Sequence, residues 1–156
     1  MTSEHLLHTI PPIYDGNSKI LILGSFPSVK SREVSFYYGH PQNRFWRVLA
    51  AVLGCAVPSS NEEKTALLQS HNIALWDVIK SCDIVGSSDS SIKNVVPNDI
   101  GTILSSCGIR QIYSNGKTSE KLFNKYIKDT VGRDTVALPS TSPANASYNL
   151  ERLTDS

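Results

Sequence analysis

Lys19-Ile20-Leu21-Ile22-Leu23-Gly24 is the stretch on which the fold turns. A short unbroken apolar run closed by glycine is the pattern of a strand buried on both faces, which occurs in parallel sheets covered by helices. Working outward, further strands are expected at 73–79, 111–114 and 135–138. Between them the apolar period changes to that of helices. Residues 44–54 place Phe45, Leu49, Val52 and Leu53 on one helical face, with Gly54 as a stop. Ser60-Asn61-Glu62-Glu63 has the spacing of a capping box and opens a helix to about Ser70. Pro97-Asn98-Asp99 opens a short helix that Gly108 closes. A helix over 118–128 turns Leu122, Phe123, Tyr126 and Ile127 inward, while 81–91, rich in serine and aspartate, reads as a loop. Strands alternating with helices give an α/β fold: a three-layer α/β/α sandwich around a parallel four-stranded sheet, in a single domain over 1–156.

The chain has 156 residues, 40% hydrophobic and 19% charged, with a formal net charge of +1. That is ordinary globular composition, and a charge this small speaks against coating a duplex through a broad basic surface. It leaves room for an enzyme that grips a few phosphates with backbone amides and hydroxyls. The N-terminal residues carry no basic region ahead of an apolar stretch, and no apolar run is long enough for a bilayer. Cys55, Cys82 and Cys107 are odd in number and widely spaced, without a C-x-x-C pair. This argues against a disulfide framework, a zinc site and an iron–sulfur cluster, and a reducing, cytoplasmic setting is expected.

Three polar segments follow expected strands, and in parallel sheets ligands bind beyond the carboxyl ends of the strands. Gly24-Ser25-Phe26-Pro27-Ser28 is either a plain tight turn or a loop whose amides and hydroxyls hold an anion or a base edge. In Tyr37-Tyr38-Gly39-His40-Pro41-Gln42-Asn43-Arg44-Phe45-Trp46, flat rings precede an amide and a basic residue. A ring can stack on a heterocycle, and a carboxamide can both donate to it and accept from it. Asn43 equally sits where a helix N-cap belongs, and the aromatic residues equally suit a core. Leu138-Pro139-Ser140-Thr141-Ser142-Pro143-Ala144-Asn145 reads as a surface turn, or as serines for phosphates and a compact tip that enters a base stack.

Taken together, these segments resemble the uracil-DNA glycosylase superfamily over roughly residues 11–150. Gly24-Ser25-Phe26-Pro27-Ser28 looks like its first motif, and Leu138-Pro139-Ser140-Thr141-Ser142-Pro143-Ala144-Asn145 like the loop that carries its intercalating wedge. His40-Pro41-Gln42-Asn43-Arg44-Phe45-Trp46 resembles the corresponding segment of mismatch-specific uracil/thymine glycosylases. Many members have Asp or Asn at the place of Phe26, where it activates water, and phenylalanine cannot do this. That departure, with Leu75-Trp76-Asp77-Val78 and Ser114-Asn115-Gly116-Lys117, is similar to the hypoxanthine-DNA glycosylase branch. The resemblance implies Asn43 as the catalytic amide, and a base pocket of Gly24, Ser25, Phe26, Tyr38 (as stacking ring) and His40. It implies DNA contacts from Pro27, Ser28, Lys117, Ser140, Ser142, Pro143, Ala144 and Asn145, with Ser142-Pro143-Ala144 as the wedge.

The implied reaction hydrolyses the N-glycosidic bond of a deaminated base, hypoxanthine first, in double- or single-stranded DNA. A monomer with neither metal nor cofactor is expected. A lyase would need an amine of depressed pKa, and neither Lys30 nor Lys117 has the apolar context for one. The competing readings are a uracil/thymine mismatch glycosylase and a non-catalytic DNA-binding domain on the same fold. A third is an α/β hydrolase pairing His40 with Asp77 or Asp83, for which the G-x-S-x-G nucleophile motif is missing.

Overall fold

The computed structural model describes residues 4–8, 10–26, 36–38, 45–84 and 91–138. Its elements are β1 (Glu4–Leu7), β2 (Ile20–Gly24), α1 (Phe45–Leu53), α2 (Asn61–Ser70), β3 (Ile73–Asp77), β4 (Ile79–Ile84), β5 (Lys93–Pro97), α3 (Ile100–Ser106), β6 (Gln111–Asn115), α4 (Lys117–Tyr126), α5 (Lys128–Val131) and β7 (Val136–Leu138). Four strands form a sheet in the order β3-β2-β6-β7, and every pairing in it is parallel. The expected strand around Leu21 is thus the centre of the expected sheet.

Alternation along β2 sorts the core into two halves. Leu21 and Leu23 join Ile100, Ile103, Ile112, Phe123 and Ile127 on the face covered by α3 and α4. Ile22 joins Phe45, Trp46, Leu68, Ile73 and Leu75 on the face covered by α1 and α2. Helices on both faces of a parallel sheet make the three layers that the alternating pattern requires. Ser119 of α4 fastens one face, donating from Oγ to the Leu23 carbonyl at 2.7 Å, a buried bond.

Local signals hold where the chemistry is local. Ser60 caps α2 through the Glu63 amide while the Glu63 carboxylate accepts from the Ser60 amide, the reciprocal pair that the spacing promised. Gly54 has φ +69° just past α1, a left-handed conformation that suits glycine at a helix end.

Several expectations need correction. Val52 is not inward: it is 60% exposed, and the buried stripe of α1 is Phe45, Trp46 and Ala50. The helix expected over 118–128 stops at Tyr126, and a separate turn, α5, follows Ile127. Pro97 ends a strand, and the short helix starts at Ile100 with Asp99 in the cap position.

The strand expected over 73–79 is divided at Val78, and the supposed loop from 81 begins instead inside a strand, β4. This β4 lies in a second sheet, ordered β1-β4-β5 and antiparallel throughout. Ile79, Cys82 and Ile84 point into a small apolar cluster with Leu6, Phe26, Ile92 and Val95. The serine and aspartate content of 81–91 concealed that inward set.

Phe123 is fully buried at the heart of one face. Phe123→Ala is expected to lower unfolding free energy by about 3–5 kcal/mol, the cost of a large buried cavity. Val52→Ser should stay within about 0.5 kcal/mol, because its side chain faces water. Urea midpoints at unchanged slope measure both, and a large loss from Val52→Ser would return it to the core.

Candidate active site

The carboxyl edge of the parallel sheet brings four strand ends level. Gly24 of β2 lies opposite Asp77 of β3, and Leu23 opposite Ser114, which sets Asn115 of β6 in the next row. Asn115 in turn lies opposite Leu138 of β7. Ligand sites form at this edge in such sheets because the strands end there and the loops diverge.

Gly24 is required by what stands against it. A Cβ at this position would collide with Asp77 Oδ1 and would come within 3.1 Å of the Tyr38 phenol oxygen. Glycine therefore lets the carboxylate and the phenol approach the backbone from two elements. The loop beyond is stitched to β4: the Gly24 carbonyl accepts from Val78 N–H at 2.8 Å and the Ser25 carbonyl from Ile79 N–H at 3.1 Å.

Asp77 is a carboxylate 4% exposed at the point where the chain changes sheets. Burying such a charge is costly unless it is paired and hydrogen-bonded. His8, whose side chain is 2% exposed, donates from Nε2 to Asp77 Oδ2 at 2.8 Å. The backbone on either side of Asp77 is braced by Asn98, whose buried Nδ2 donates to the carbonyls of Asp77 and Ile79 at 2.9 and 3.1 Å.

The neighbouring tyrosines divide into support and site. Tyr37 is buried, and its hydroxyl donates to the Pro11 carbonyl at 2.8 Å while its own carbonyl accepts from Trp46 Nε1 at 3.2 Å. Tyr38 has φ +52°, a left-handed backbone that ordinary side chains adopt at a cost, and this turns its ring toward the sheet edge. One face of that ring is taken by Phe45, with centroids 4.1 Å apart and planes 14° from parallel. The Tyr38 hydroxyl is buried and has no hydrogen-bond partner among the described residues. Burial and then the charge of Asp77 hold the phenol well above its usual pKa, while Asn115 beside it pulls the other way. Burial, Asp77 and Tyr38, in that order, raise Tyr37 likewise, so both phenols stay protonated at neutral pH. A buried hydroxyl without a partner, beside a glycine and a carboxylate, suits a site that completes its hydrogen bonds with a polar ligand.

Of the residues singled out in the sequence, Gly24, Ser25, Phe26 and Tyr38 gather here, and Lys117 is exposed at the first position of α4 along the same edge. Phe26 packs into the second sheet's cluster and meets the His8 ring edge-on at 6.0 Å. Asn43, His40, Pro27, Ser28, Ser140, Ser142, Pro143, Ala144 and Asn145 lie outside the described residues. Sequence reasoning missed His8 altogether, gave Asn115 no role in the pocket, and gave Asp77 one only in the α/β-hydrolase reading. Asp77 and Asn115 share a detectable signal, a polar residue ending an apolar strand, whereas His8 has none.

Comparison with known proteins places this arrangement. Residues 11–156 match the family model described as "Uracil DNA glycosylase superfamily". A protein of Methanosarcina barkeri named hypoxanthine DNA glycosylase is 36% identical over 137 residues, covering 86% of this chain and 85% of that protein. One of the same name from Methanosarcina acetivorans is 35% identical over 144 residues, covering 91% and 90%. A solution NMR structure of a candidate uracil DNA glycosylase from Methanosarcina acetivorans superimposes with a TM-score of 0.80 at 34% identity, covering 94% of this chain and 91% of that one.

Gly24→Ala is expected to force Asp77 or Tyr38 aside. The overpacking should cost about 1–3 kcal/mol of stability, read as a lower melting temperature, together with a loss of catalytic rate. A variant as stable and as active as the parent would show that the close approach at Gly24 does not shape the site.

Proposed function

We infer the activity from one premise: the chain belongs to the uracil DNA glycosylase superfamily. It is a DNA glycosylase, and hypoxanthine is the base it removes. The observation that carries this reading is the similarity, along most of both chains, to two proteins named hypoxanthine DNA glycosylase.

Water adds to C1′ of the deoxyribose as the bond from C1′ to the base nitrogen breaks, leaving an abasic sugar and the free base. Positive charge grows on the sugar and negative charge on the departing base, so the enzyme gains most from fixed polar groups that meet those charges. We assign this task to Asn43, because Phe26 has no group that can orient water. An amide can do so, or can hold the leaving base, without changing protonation state.

The sheet edge supplies acceptors and donors for the base. Hypoxanthine offers a lactam N–H and a carbonyl along one edge. The Asp77 carboxylate, with Oδ1 turned to Gly24, is an acceptor suited to the N–H. The Tyr38 hydroxyl and the Asn115 amide are donors suited to the carbonyl. Flipping a base out of the stack costs a few kcal/mol, less at a mispair, and we assign the Pro143–Ala144 tip to the gap it leaves. The chain is taken to act as a monomer by simple hydrolysis, with no metal in the reaction.

A panel of oligonucleotides with one lesion each, treated with alkali after reaction, tests the substrate: hypoxanthine should be released faster than uracil, and the reverse order would end the assignment. Asn43→Ala should lower single-turnover cleavage by about two to three orders of magnitude, as loss of a preorganised polar group does, while DNA binding is kept. If Asn43 were only a helix cap, the variant would lose roughly 1 kcal/mol of stability and no rate.

A further inference from the structure

Asp77 reaches its place by being held. Its carboxylate is divided between two neighbours: Oδ1 lies against Gly24, and Oδ2 accepts from His8 Nε2 at 2.8 Å. His8 comes from the other sheet. It follows β1, whose Leu7 pairs with Ser81 of β4, and its own amide donates to the Lys80 carbonyl at 2.7 Å. The imidazole is boxed between Phe26, edge-on at 6.0 Å, and Tyr37 at 6.1 Å. Its side chain is 2% exposed, so the donor has little freedom to turn away. The partners are 69 positions apart in the chain, and His8 precedes the segment that matches the family model.

We propose that His8 is a positioning residue for base excision: its Nε2–H fixes the rotamer of Asp77, so that Oδ1 is presented to the base as an acceptor. This rests on the glycosylase reading above. A carboxylate with a free χ2 presents either oxygen over a wide arc, and a displacement of about 1 Å in such a group can cost a hundredfold in rate. The surrounding rings contribute the rest, since they hold the imidazole in one plane. Orientation is thus imported from the small antiparallel sheet into a site built on the parallel one.

Two substitutions separate this role from packing. Glutamine places an amide N–H where the imidazole Nε2–H lies, and methionine fills similar space with no donor. His8→Gln is expected to keep most of the single-turnover rate on hypoxanthine-containing duplex. His8→Met should lose about a hundredfold with DNA affinity unchanged, and because the buried Asp77 carboxylate then lacks its donor it should melt below His8→Gln, so the rates are compared well below both melting temperatures. The comparison is read on full-length protein by quench-flow cleavage, fluorescence anisotropy and thermal melting. A His8→Met variant at the parental rate, or a His8→Gln variant as slow as His8→Met, overturns the positioning role while leaving the glycosylase reading intact. A folded parent that cleaves no lesion in the panel overturns both.

Discussion

The buried amide of Asn98 holds the place on which the site depends. A parallel strand that ends at Asp77 and a new strand that starts at Ile79, with Val78 alone between them, leave carbonyls turned out of both ladders. Unpaired, each would cost about 1–3 kcal/mol. Asn98 answers two of them, on Asp77 and Ile79, while its own N–H donates to the Val78 carbonyl at 2.7 Å. The same stitch ties Val78 to Gly24, so the change of sheet and the glycine of the central strand are locked together. Asp77 therefore stands on a fixed backbone before any contact of its side chain is counted.

From that fixed point two sheets with different tasks meet. The parallel sheet provides a row of strand ends, and the antiparallel one provides a back wall from which His8 and the Phe26 contacts reach forward. Leu122 packs against both the large core and the small cluster, joining the two through α4. Rigid elements of this kind place groups more precisely than loops do.

Much of the frame was legible because its causes are local. The apolar run around Leu21, the Ser60–Glu63 cap and the stop at Gly54 each act within a few residues. The second sheet was not legible, because its cause is tertiary. β4 turns Ile79, Cys82 and Ile84 inward across irregularities in its register, and its polar residues find partners on other strands, as Asp83 does with His5 and Asn94. A serine- and aspartate-rich segment reads as a loop until those partners are present. Val52 was misplaced for a related reason: Trp46, whose indole N–H bonds the Tyr37 carbonyl, turns the face of α1 toward itself and Ala50. At the site, the glycine and the tyrosine could be read, since their chemistry is carried in short motifs. The His8–Asp77 contact could not, because no spacing rule links residues so far apart.

The two margins of the parallel sheet are treated unequally. Beyond β3, Ile13 forms a single antiparallel bridge with Leu75, exchanging bonds of 2.9 and 2.8 Å, and so occupies part of that border. On the opposite border β7 is only Val136–Leu138, and Val136 is 46% exposed. Open borders recruit strands from other molecules, and brevity is one of the ways proteins blunt them. Among the described residues a visiting strand would find only three positions to pair with on β7, so the shortness of the strand is itself the guard on that border.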